Sequence, residues 1–169
     1  QLIDISTLGI PQLKTGTNVL AIGVWNHTPT IPPSTDLVLV PKLTMNRETS
    51  MTYLDNQSDP GIGMTWTAEA FDDSGWAVGN YGVGYDTFTP GGAENLLATV
   101  VPVGTSTVYT RALFVVQDVS IIEEVLLGAD YDDGYVAWIN GVEVYRSPEM
   151  PAGVPTWDAD PALHESSNA

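Results

Sequence analysis

Carboxylates dominate the chemistry this sequence could perform, and two turn-like stretches concentrate them. "DNQSDPG" sets Asp55 and Asp59 around a backbone that can bend, and "DYDDG" offers Asp130, Asp132 and Asp133 within a few residues. Carboxylates combined with loop carbonyls suit Ca2+, a hard cation that takes about six to eight oxygen ligands. Neither stretch has the spacing of an EF-hand loop, and Asp55 and Asp133 would equally well cap turns by bonding to nearby backbone amides. Of the two, "DNQSDPG" is the better candidate, so the sequence predicts a Ca2+ ion held in part by Asp55 or Asp59.

Other chemistries find less support. His27 and His164 are the 2 histidines, both in loop-like surroundings, and no nucleophile-elbow motif accompanies them as a Ser-His-Asp site would require. No pair of acids stands out as a glycosidase couple. "GNYGVGYD" is glycine-rich, yet it opens no helix and has no Lys, so it is not a phosphate cradle. The expectation is a protein without catalytic activity. Sugar binding is the rival, since exposed aromatic rings stack on sugars. Trp25, Trp138 and Trp157 are the candidates, with Trp157 favoured by its loop setting and Trp138 reading as a core residue in mid-strand. Asn26-His27-Thr28 and Asn56-Gln57-Ser58 are glycosylation sequons that an exported protein could use at Asn26 or Asn56.

The 169 residues suffice for one domain with a sizeable core. With 21 acidic residues against 5 basic, a net charge of −16, the chain is a poor partner for nucleic acid or an anionic membrane surface. No apolar run approaches the roughly 20 residues of a membrane span. With 0 Cys, disulfides and thiolate metal sites are excluded. The chain starts at Gln1, without an initiator Met or signal peptide, and reads as a processed product or a piece of something longer.

The segments that would position these groups mostly carry a period of two, the mark of half-buried strands. Leu20, Ile22 and Val24 share one face of 19–26, and Leu37, Leu39 and Leu43 share one face of 36–43. Residues 108–119 alternate between an Arg111, Leu113, Val115 face and an Ala112, Phe114, Val116 face. "YVAWINGVEVYR" holds Asn140-Gly141 between two alternating arms, the sequence a tight type I′ hairpin turn demands. Phe71 and Trp76 flank the acidic turn "FDDSGW" as core anchors, and one helical turn is expected near residues 161–165. The fold class is all-β, a jelly-roll sandwich of two antiparallel sheets.

Several of these pieces together resemble the galactose-binding-domain-like jelly-roll modules of large bacterial secreted and surface proteins. The matching elements are Trp66 with "FDDSGW", "VGYD", Arg111 to Phe114, "DYDDG" with the Asn140-Gly141 hairpin, Met150-Pro151, His164-Glu165, "GTNVLAIGVWN" and "STDLVLV". The last two close such modules, but here they occupy residues 16–40, ahead of the rest. Residues 1–43 are thus the module's closing strands and residues 44–169 its body. The resemblance implies an extracellular or cell-surface protein.

A body lacking its closing strands would expose unpaired backbone and an open core groove. Two arrangements fill it: the arm of the same chain, giving a permuted monomer, or the arm of a neighbour, giving a head-to-tail fibre. The expectation is the second. Leu20, Ile22, Val24, Leu37 and Leu39 would insert into a neighbouring copy, with Thr44 to Met51 as linker. The chain would then be a structural subunit or tandem repeat of an extracellular filament. The alternative is a carbohydrate-binding module of a secreted enzyme.

Overall fold

A computed structural model of the chain describes residues 2–27, 36–43, 50–87 and 92–166. The arm carries β1 (Leu2–Asp4), a single helical turn α1 (Ser6–Gly9), β2 (Gly16–Trp25) and β3 (Asp36–Leu43). The body carries β4 (Ser50–Asn56), β5 (Ala77–Asn80), β6 (Val83–Asp86), β7 (Thr99–Val100), β8 (Thr107–Val116), β9 (Leu126–Asp132), β10 (Gly134–Ile139) and β11 (Val142–Arg146). They form a β-sandwich. One sheet has the order β11-β10-β2-β8-β4-β5 and is antiparallel throughout. The other has the order β1-β9-β3-β6-β7, antiparallel except for a short parallel pairing of β6 with β7.

The alternation read from the sequence explains which side chains meet. Leu20, Ile22 and Val24 of β2 point into the inter-sheet core with Leu37 and Leu39 of β3, Val108 and Ala112 of β8, Leu127 of β9 and Ile139 of β10. Their strand neighbours Ala21 and Trp25 face the other way, into a second cluster with Trp66, Tyr109, Val136, Trp138 and Met150. Trp66 stacks on Tyr109 at 4.1 Å between ring centroids and meets Trp138 edge-on at 5.3 Å. Phe71, Trp76 and Trp157 pack against this second cluster, so the loops that carry them cover the outer face of the six-stranded sheet. The hairpin turns at Asn140 and Gly141 with φ of 50° and 88°, as its dipeptide requires.

Two expectations change. The segment 161–165 forms no helical turn; its backbone is tied to residues 27, 133 and 149 instead of to itself. Met51, assigned to the linker, lies in β4 and is buried in the core, so a linker can extend only over 44–49, which is outside the described residues. The Pro-rich stretch 28–35 also lies outside them.

The arm docks in its own body. β2 lies between β10 and β8, paired with β8 from Gly16↔Val116 to Trp25↔Thr107, and β3 lies between β9 and β6. This is the permuted arrangement, with the arm in its own body where insertion into a neighbouring copy was expected. Covalent connection gives the chain's own arm a high effective concentration at the groove, and that favours closure within one molecule. Register is fixed at the hairpin. The Asn140 side chain accepts from the Val19 amide at 2.9 Å and donates to the Gln12 carbonyl at 2.7 Å and to Asn18 Oδ1 at 2.9 Å.

Arg111 plays the matching role for the acidic turn. Almost fully buried, it pairs with Asp73 at 2.9 Å, donates to the carbonyls of Trp66, Ala68, Glu69 and Phe71, and sits over the Phe71 ring. Replacing it orphans several acceptors together with a carboxylate. Arg111→Met should therefore cost about 3 kcal/mol of unfolding free energy, measured by urea denaturation. At Gly84 the constraint is steric, because a Cβ there would lie 1.7 Å from the Leu37 carbonyl oxygen across the β3–β6 ladder. Gly84→Ala should part that ladder and cost upwards of about 2 kcal/mol in the same assay.

Candidate functional site

The residues with chemical potential converge where the arm, β9 and the C-terminal segment meet. Sheet geometry brings them there. Leu37 and Leu39 of β3 and Leu127, Ala129 and Tyr131 of β9 face the core, so the alternating residues Asp36, Asp130 and Asp132 face outward. Asp132 lies opposite Val38, and Asp36 is two residues along the same face. Gly134 gives the C-terminal segment room to lie down, since a Cβ there would be 2.7 Å from Pro161 and 2.9 Å from Met150 Sδ.

Asp133 fastens that segment. One carboxylate oxygen accepts from the His27 amide at 2.7 Å and the other from the His164 amide at 3.0 Å, joining the end of β2 to the C-terminal segment. The two histidines extend the clamp. His27 Nδ1 lies 2.7 Å from the Pro161 carbonyl and 3.0 Å from Asp160, while His164 stacks on Tyr131 at 4.2 Å with its Nδ1 3.1 Å from the Tyr131 carbonyl. Asp133 is a turn-and-clamp residue, its oxygens committed to amides.

Asp132 differs sharply. It is 1% exposed, and neither of its oxygens makes a well-formed hydrogen bond, the Ser166 amide being the donor near it. One oxygen each from Asp36, Asp132 and Glu165 lie within 4.8 Å of one another, the single grouping of three metal-ligand side chains among the described residues. Asp36 is also buried, and Glu165 is exposed at the mouth. Burial, then the charges of Asp133, Asp36 and Glu165, push the Asp132 carboxyl up to about 9, with only the Ser166 amide easing ionisation. Such a group holds a proton at neutral pH unless a cation replaces it.

The residues singled out from the sequence fall elsewhere or divide. Asp55 lies within β4 opposite Val108, and exposed Asp59 accepts from the Gly61 amide at 2.8 Å in a local turn; they join no third ligand side chain. Of the "DYDDG" acids only Asp132 belongs to the cluster, and its partners Asp36 and Glu165 were missed. The signal for Asp36 was an acid heading an otherwise apolar strand, "DLVLV"; for Glu165 it was only a place in the chain. Trp25 and Trp138 are 0% and 4% exposed and cannot stack on a sugar, while Trp157 is half-buried against the aromatic cluster, its carbonyl accepting from the Thr107 hydroxyl. Both sequon asparagines are buried: Asn26 Nδ2 donates to the Tyr85 hydroxyl at 2.7 Å, and Asn56 Nδ2 is enclosed without a partner, so neither nitrogen is open to a glycan. Leu20, Ile22, Val24, Leu37 and Leu39 are all core residues.

Comparison with known protein families, with curated proteins and with solved structures finds no match for this chain.

The raised Asp132 carboxyl fixes the sign of a pH effect. Its folded value lies above its unfolded one, so its contribution to stability is full below about pH 4 and is lost as pH rises toward about 9. In chelator, the melting temperature of the wild type should fall relative to that of Asp132→Asn as pH goes from 5 to 9. A difference that stays constant across that range would show that Asp132 is not the group responsible.

Proposed function

We propose that this chain is a non-catalytic structural module of an extracellular filament or tandem-repeat surface protein, in which β-strand complementation by the arm is the assembly device. One observation carries the reading. The arm supplies an interior strand to each sheet, so that without it β10 parts from β8 and β9 parts from β6. Its aliphatics Leu20, Ile22, Val24, Leu37 and Leu39 contribute roughly 1.5–3 kcal/mol each on burial. The groove cannot distinguish its own arm from an identical one. Identical contacts serve a closed monomer and a head-to-tail polymer.

The galactose-binding-like resemblance and the acidic surface are compatible with an extracellular setting. A non-catalytic role accords with two histidines occupied in holding backbone and with tryptophans occupied in packing.

Separately produced body (44–169) and arm (1–43) test the reading. The body alone should show weak β-sheet circular dichroism and exposed tryptophan fluorescence, and equimolar arm should restore both. Failure of the arm to bind the body would contradict complementation.

A further inference from the structure

We infer that Asp36, Asp132 and Glu165 hold a divalent, oxygen-preferring cation, Ca2+ by size and donor set, and that this ion fastens the arm to the body. The three ligands come from three different parts of the chain. Asp36 opens β3 of the arm, Asp132 ends β9 of the body, and Glu165 belongs to the C-terminal segment held down by Asp133. An ion there would join all three.

The chemistry of the site points to a ligand. A buried carboxylate normally has hydrogen-bond donors or a cationic partner, because an unpaired buried charge is costly. Among the described residues Asp132 has no cationic partner and no well-formed hydrogen bond, only the Ser166 amide near it, though both its oxygens are shielded from solvent. The basic side chains described are committed elsewhere: Lys14 to Glu69, Arg111 to Asp73 and Arg146 to Glu143. A second orphaned oxygen lies in this neighbourhood. Asn26 Oδ1 is buried without a partner, while the same amide donates to the hydroxyl of Tyr85, which lies opposite Leu37 on the strand paired with the one Asp36 opens. Carboxylate and amide oxygens with no sulfur or imidazole select Ca2+, Mg2+ or Mn2+ over softer metals. Among these, Ca2+ at 2.3–2.6 Å from each oxygen tolerates irregular geometry and spans oxygens up to about 4.8 Å apart, whereas Mg2+ demands a tight octahedron.

The ion-binding part stands independently of filament assembly; its consequence for arm exchange rests on the proposed function. The test is therefore made on dilute monomer, at pH 7.5, with Ca2+ added to chelator-treated protein. Ca2+ at a hundred times its Kd should raise the melting temperature of the wild type by roughly 5–10 °C. It should also slow hydrogen exchange in β3 and at residues 164–166, and Mg2+ should do less. Asp132→Asn should keep the fold, melt no lower than metal-free wild type and lose the Ca2+ response. Asp55→Asn combined with Asp59→Asn should keep the response. A wild type indifferent to millimolar Ca2+, or a response that survives Asp132→Asn, would overturn the site. If the ion binds but arm and body produced separately do not combine, the site stands and the filament reading fails.

Discussion

An interior β-strand is the one part of a sheet that cannot be omitted, because its removal strands backbone donors and acceptors on both flanking strands. Here the same arm supplies such a strand to each sheet. β2 joins the β11-β10 hairpin to β8-β4-β5, and β3 joins β9 to β6-β7. Everything else depends on that insertion. The inter-sheet core closes only when Leu20, Ile22, Val24, Leu37 and Leu39 are present, and the outer aromatic cluster closes only when Ala21 and Trp25 lie beside Tyr109 and Trp138. Folding therefore requires contacts between residues more than a hundred positions apart, such as Leu20 with Ile139, and the loop-closure entropy of bringing them together precedes any gain from packing.

Polar side chains at the insertion make it specific. An apolar face alone would tolerate a slip of two residues along β8, since every second side chain points to the same side. The amide pair Asn18–Asn140 and the Asp133 clamp on His27 mark the two ends of β2 and permit a single register. At the far side, Arg111 ties the 66–73 turn down over the aromatic cluster, closing a third layer on the six-stranded sheet. Among the described residues Asp132 is the one buried carboxylate outside this pattern, beside neutral groups such as Asn26 Oδ1 and Asn56 Nδ2 that also lack a partner.

Much of the architecture was legible because its causes are local. Period-two alternation identified β2, β3 and β8 and sorted their faces; Asn140-Gly141 marked its hairpin because few residues accept positive φ. Long-range consequences were not legible. Asp36, Asp132 and Glu165 are adjacent only after β3 and β9 pair and the C-terminal segment folds back, and no spacing in the chain announces it. The clustering of aspartates in "DYDDG" was misleading for a simple reason. Successive residues of a strand point to opposite faces, so chain neighbours such as Asp132 and Asp133 serve different partners. Likewise Trp25, a stacking candidate by type, is enclosed because loops cover the outer face of the sheet, and Asn26 because its side chain reaches Tyr85 of the inter-sheet core; periodicity alone reveals neither.

The claim most in need of a direct reading is that the groove accepts an arm from another molecule. The absence of Cys allows it: Thr17 on β2 and Val115 on β8 are paired in register, and both side chains are exposed. A Thr17→Cys chain and a Val115→Cys chain, refolded together at high concentration and oxidised, report where β2 sits. Arm exchange predicts a disulfide-linked heterodimer, distinct from either homodimer by mass, with the native fold retained. If the doubly substituted chain forms its internal disulfide readily while the mixed single variants never cross-link to one another, the arm serves its own body alone.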